Sequence, residues 1–117
     1  MAGLTTHILD LASGFPASDV RIDVCRIEHG LASCLKSVTT NSDGRCDEVL
    51  IAEKDMTEGL YELVFHIGDY FDRQGLDLPD PKFIDQVPIR FGVAETDKHY
   101  HVPLLVSPFG YSTYRGS

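Results

Sequence analysis

The stretch His99-Tyr100-His101-Val102-Pro103-Leu104-Leu105-Val106-Ser107-Pro108-Phe109-Gly110-Tyr111-Ser112-Thr113-Tyr114-Arg115-Gly116-Ser117 decides how this chain folds. Two strands are expected in it, Tyr100 to Val106 and Gly110 to Arg115. Successive side chains of a strand point to opposite faces. Tyr100, Val102, Leu104 and Val106 therefore share one face, and His101, Pro103 and Leu105 the other. The first set is the richer in apolar groups and is read as the core side, so His101 points away from the core. In the second strand Ser112, Tyr114 and Gly116 share one face, and Tyr111, Thr113 and Arg115 the other.

The same period of two recurs upstream. Leu4 to Asp10 is a strand in which Leu4 and Ile8 share a face and His7 points the opposite way. Val20 to Val24 alternates apolar and polar side chains, as a half-buried strand does. Leu35 to Thr40 is a less regular candidate, and a short strand is expected near Cys46 to Leu50. Gly59 to Ile67 places Tyr61, Leu63, Phe65 and Ile67 on one face. Val87 to Val93 sets Val87, Ile89, Phe91 and Val93 against Pro88, Arg90 and Gly92. The breaks carry turn chemistry: Gly14-Phe15-Pro16, and Asn41-Ser42-Asp43-Gly44, whose residue types tolerate the special backbone angles of turns. Asp69 to Gln74 suits one short helix ended by Gly75. Seven or eight short strands with at most one helix predict an all-β, two-sheet antiparallel sandwich.

The 117 residues suit a single domain, 1–117. The net charge of −8 repels phosphate backbones, so nucleic acid is not an expected partner. No apolar run approaches the roughly 20 residues of a membrane helix. Cys25, Cys34 and Cys46 are odd in number and have no zinc-type spacing, which fits reduced thiols in a cytosol-like compartment. The N-terminal residues carry neither the basic nor the apolar region of a secretory signal. A cytoplasmic location is expected, with the peroxisome as the alternative.

His7 and His101 sit on an outer face that also carries Leu9, Pro103 and Leu105. Apolar residues mixed with histidines on such a face point to cover by a second subunit, which would enclose a site there. His99 and His101 share one strand face, a spacing that suits a metal. No third ligand at fixed spacing accompanies them, and no metal or other cofactor is expected. Arg45 follows the Asn41–Gly44 turn. The motifs of P-loops, zinc proteases, dinucleotide-binding sites and serine-hydrolase elbows are all absent.

Three segments together resemble the 5-hydroxyisourate hydrolase, or transthyretin-like, family. They are Leu4-Thr5-Thr6-His7-Ile8-Leu9-Asp10, Thr40-Asn41-Ser42-Asp43-Gly44-Arg45 and the run from His99 to Ser117. The closing Tyr114-Arg115-Gly116-Ser117 is highly specific to the hydrolases. Transthyretin, a hormone carrier on the same fold, shares the Ser107-to-Thr113 stretch but has other residue types at His7, Arg45, His101 and the closing tetrapeptide. The resemblance implies a Greek-key sandwich of two four-stranded sheets with one short helix. It also implies a homotetramer, a dimer of dimers, with sites at the dimer–dimer interface.

It further implies hydrolysis of 5-hydroxyisourate to 2-oxo-4-hydroxy-4-carboxy-5-ureidoimidazoline, a cyclic amide hydrolysis in urate degradation toward allantoin. The expected catalytic residues are His7, Arg45, His101 and Ser117, and the expected substrate-binding residues are His7, Arg45, Tyr114 and Arg115. His7 and His101 would act on the water and the leaving nitrogen, with His101 favoured for the water. Arg45 would bind carbonyl or oxyanion oxygens. Tyr114 would donate to the ring, Arg115 anchor the tail, Gly116 permit close backbone approach, and Ser117 supply a hydroxyl and a carboxylate. The alternatives are a transthyretin-type small-hormone carrier and an immunoglobulin-like adhesion module. The adhesion module is disfavoured by the absence of tryptophan and of a secretory signal.

Overall fold

A computed structural model of the chain describes residues 3–116. Nine strands form in the order β1 (Gly3–Asp10), β2 (Phe15–Pro16), β3 (Arg21–Glu28), β4 (Leu31–Thr39), β5 (Ile51–Ala52), β6 (Gly59–Phe65), β7 (Val87–Val93), β8 (His99–Ser107) and β9 (Gly110–Thr113). Among the described residues one helix, α1 (Ile67–Arg73), follows β6, and a single 3-10 turn covers Glu53–Asp55. One sheet runs β2-β1-β8-β9, with β5 also paired to β1, and the other runs β4-β3-β6-β7. The architecture is the expected mostly-β sandwich of two four-stranded sheets with one short helix, the two-residue β5 adding a fifth strand at the edge of the first sheet. No helix among the described residues is long and apolar enough to cross a membrane.

Alternation predicts the buried faces well. Leu4 and Ile8 of β1, Tyr61, Leu63 and Phe65 of β6, and Tyr100, Val102, Leu104 and Val106 of β8 all enter the core. Each such side chain contributes roughly 1.5–3 kcal/mol by leaving water. Helix α1 docks through Ile67, Tyr70 and Phe71, spaced at the three- and four-residue intervals of one helical face. The Tyr70 hydroxyl donates to Asp10 Oδ2 at 2.8 Å, and the Ala12 and Ser13 amides donate to Oδ1 at 2.8 and 3.3 Å. These three bonds satisfy a carboxylate that is almost fully buried. The helix starts at Ile67, two residues before the sequence-based start, and Gly75, at φ 74°, takes the left-handed position just past its end.

Several expectations are corrected. The sandwich is not wholly antiparallel: β1 and β8 pair in parallel from Gly3↔His99 to Asp10↔Val106. Parallel pairing needs a long connection, and here nearly the whole chain lies between the two strands. The segment from Cys46 to Leu50 forms no strand; pairing starts at Ile51, opposite Leu4. Gly14-Phe15-Pro16 does not only turn, since Phe15 and Pro16 pair with Asp10 and Leu9. β3 extends to Glu28 and β4 begins at Leu31, because His29 and Gly30, with φ of 54° and 77°, form a tight two-residue turn. The last strand ends at Thr113, so period-two alternation does not carry through Tyr114 and Arg115.

Candidate active site

The site is built on the outer face of the β1–β8 pair. Thr5 stands directly opposite His101, and Gly3 opposite His99. His7 is two residues along β1 from Thr5 and so shares its face. Thr5, His7, His99 and His101 are each half-buried, while their neighbours Leu4, Ile8, Tyr100 and Val102 lie in the core. The expected orientation of the two histidines is therefore what the strands produce.

Arg45 arrives from the far side of β1. The Ile8 amide donates to the Gly44 carbonyl at 2.9 Å, which docks the turn against the strand. Gly44 has φ +73°, and a Cβ there would stand 2.5 Å from the Ile8 carbonyl oxygen, so this approach requires glycine. Asn41 closes the turn: its Oδ1 accepts from the Asp43 and Arg45 amides at 2.8 and 3.2 Å, and its own amide donates to the Arg45 carbonyl at 2.7 Å. Asn41 Nδ2 donates onward to Asp47 at 2.9 Å. The buried Thr40 hydroxyl donates to the Ala17 carbonyl at 2.8 Å and accepts from the Val20 amide at 2.9 Å, which fixes the entry to the turn.

A cavity of about 400 Å³ lies between these elements, lined by Thr5, Arg45, Asp47, Val49, His99 and His101 among others. Burial and then the charge of Arg45 hold His7 below the ordinary imidazole value of 6.5, outweighing a hydrogen bond to the Asp43 backbone and the Asp43 charge. Burial, Arg45, His99 and His7, in that order, hold His101 below it too. Arg45 thus acts electrostatically on both histidines. Two imidazoles kept neutral beside a permanent cation can exchange protons with a bound molecule while the cation stabilises a negative oxygen.

Thr5 is the residue that sequence reasoning missed. Its hydroxyl lies 2.8 Å from His101 Nδ1 and 3.0 Å from His99 Nε2, and the two rings stand nearly parallel with centroids 6.3 Å apart. Its position on the His7 face of β1 was the available signal; the parallel pairing that sets it opposite His101 was not. His99, weighed only as a metal ligand, belongs to this cluster.

The tail takes an unexpected path. Gly116 forms an isolated bridge with His101, its amide donating to the His101 carbonyl at 2.8 Å. Arg115 sets its guanidinium 4.2 Å from the centroid of the Tyr100 ring, an attraction that ties the tail to β8. Tyr114 is exposed and does not line the histidine cavity; it borders a separate cavity of about 370 Å³ with Ile89, Phe91, Tyr100 and Arg115. The face assigned to Tyr114 from alternation is corrected accordingly, because the strand stops before it. Ser117 lies outside the described residues.

A β-sandwich carrying a histidine–arginine cluster on the outer face of one sheet is thus the class that fold and site define. Residues 4–116 match the HIUase/Transthyretin family. The chain is 56% identical over 114 residues, 97% of its own length and 95% of the other, to 5-hydroxyisourate hydrolase 2 of Rhizobium meliloti. It superposes on a solved structure of Klebsiella pneumoniae 5-hydroxyisourate hydrolase with a TM-score of 0.80 and 33% identity, covering 100% of both chains. A sea bream transthyretin solved with thyroxine gives a TM-score of 0.86 at 27% identity, with 98% of this chain and 95% of the other covered. The chain belongs to the HIUase/Transthyretin family.

Proposed function

We propose that this chain hydrolyses 5-hydroxyisourate, opening a ring amide to give 2-oxo-4-hydroxy-4-carboxy-5-ureidoimidazoline in urate degradation. The observation that carries this reading is the cavity that Arg45, from the 41–45 turn, shares with His99 and His101 of β8 and with Thr5 of β1; His7 stands two residues along β1 on the Thr5 face, outside that lining. The relatives named above as hydrolases support it.

Amide hydrolysis needs an activated water, a donor for the leaving nitrogen and a stabilised oxyanion. A base must be unprotonated to act, and the lowered values of His7 and His101 keep both imidazoles neutral near pH 7. His101 takes the proton of the attacking water and His7 serves the leaving nitrogen. The Arg45 guanidinium offers paired donors to the carbonyl oxygen as it becomes negative. In one subunit Tyr114 and Arg115 border a separate cavity, so their expected substrate-binding part requires the assembled tetramer to bring them to a histidine cavity, and Ser117 is assigned its closing part by the resemblance alone. The working unit is a single-domain subunit, residues 1–117, in a homotetramer built as a dimer of dimers. The half-buried Leu9 and Leu105 on the histidine face support such cover. The cytoplasm is the expected compartment, with the peroxisome the alternative.

The test is the ultraviolet decay of freshly generated 5-hydroxyisourate with and without the protein. Acceleration supports the hydrolase; decay at the spontaneous rate, with tight thyroxine binding, would favour the carrier.

A further inference from the structure

We propose that the Thr5 hydroxyl joins His101 and His99 into one proton-sharing unit, through which the proton taken by His101 from water passes to His99. The proposal rests on the hydrolase reading above for its chemistry, but its geometry stands by itself. A hydroxyl carries one proton. Placed within hydrogen-bond distance of two ring nitrogens, 2.8 Å from His101 Nδ1 and 3.0 Å from His99 Nε2, it can donate to only one of them. The other nitrogen must then donate to the hydroxyl oxygen.

Only two neutral arrangements satisfy both contacts. In one, His101 Nδ1–H donates to Thr5 and Thr5 donates to His99 Nε2, so both rings carry their proton on Nδ1. In the other, Thr5 donates to His101 Nδ1 and His99 Nε2–H donates to Thr5, so both rings carry it on Nε2. Thr5 therefore locks the two histidines to the same tautomer. The first arrangement leaves His101 Nε2 with a free lone pair and is the one competent to accept a proton from water.

The transfer balances. An O–H bond of water breaks and an N–H bond forms at His101 Nε2. The Nδ1–H bond of His101 breaks as an O–H bond forms at Thr5, and the former Thr5 proton bonds to His99 Nε2. Hydroxide is left for attack, His101 ends neutral, and the positive charge resides on His99. Arg45 lines the same cavity as both rings and opposes a charged imidazolium at His101; His99, whose Nδ1 is buried and has no hydrogen-bond partner among the described residues, receives the charge in its place. The relay lets His101 act as base without remaining charged there. Thr5 is thus a positioning residue that acts through His101.

The test uses Thr5→Val, which keeps the shape and suits a strand, and Thr5→Ser, which restores the hydroxyl. Thr5→Val is expected to lower kcat by about 10-fold or more with KM little changed, and Thr5→Ser to recover most of the loss. Nitrogen-15 NMR of the unliganded protein reads the tautomers independently of activity. His99 and His101 are expected to be protonated on like-named nitrogens in the wild type and to lose that agreement in Thr5→Val. Wild-type kcat in Thr5→Val would overturn the relay, and protons on unlike nitrogens in the wild type would overturn the shared unit. Absence of any hydrolysis by the wild type with like-named tautomers intact would instead refute the hydrolase reading alone.

Discussion

Gly116 lies directly against the imidazole of His101: its amide donates to the His101 carbonyl at 2.8 Å, and a Cβ at Gly116 would stand 2.5 Å from His101 Cδ2. The tail and the His101 ring are therefore in van der Waals register, and only a residue without a side chain fits between them.

Gly116→Ala should consequently force either the ring or the tail to move. A displacement on the order of 1 Å at a catalytic group costs up to about 10²-fold in rate. Turnover is expected to fall at least 10-fold, while the thermal midpoint, set by a core that Gly116 does not enter, changes little. Steady-state kinetics beside a thermal melt checks this; an equally active alanine variant would show that the tail does not hold His101.

The pH dependence follows from the two histidines. Both are held below 6.5, chiefly by burial and next by Arg45, so the neutral forms dominate at pH 7 and are lost only as pH falls through the lowered values. The acid limb of kcat/KM should lie below pH 6.5. Arg45→Gln removes one of the lowering influences and should move that limb upward, besides slowing the reaction. A limb that stays in place, or moves downward, would deny electrostatic coupling between Arg45 and the histidines.

Stability and catalysis should separate at Tyr70. Its hydroxyl is one of three donors to the buried Asp10 carboxylate, and both burial and that bond push the phenol well above its ordinary value. Tyr70→Phe leaves Asp10 Oδ2 short of a donor at a cost of roughly 1–3 kcal/mol. Denaturant unfolding should register that loss, while activity per folded molecule at 25 °C is preserved. Unchanged stability would mean that Asp10 finds another donor.

What could be read from the sequence was the orientation of side chains within each strand. Leu4 and Ile8 against His7, and Tyr100 and Val102 against His101, follow from period-two geometry alone, and the structure puts each on the expected face. The turn ahead of Arg45 was legible because Asn41, Asp43 and Gly44 are turn-forming types. What could not be read was which strands meet. The parallel β1–β8 register joins residues nearly a hundred positions apart, and it is this register that brings Thr5 between His99 and His101. The path of the tail was equally hidden: pairing stops at Thr113, and the interaction of Arg115 with Tyr100 replaces the strand geometry from which Tyr114 was assigned a face.

The central claim, that His7, Arg45 and His101 form one hydrolytic site, is tested most directly by a single comparison. The ultraviolet decay of 5-hydroxyisourate is followed with the wild type and with His7→Ala, Arg45→Ala and His101→Ala. The wild type is expected to accelerate the decay, and each variant to lose about 10²-fold or more of that acceleration while remaining folded. Spontaneous decay with the wild type, or near-normal rates in the folded variants, would contradict it.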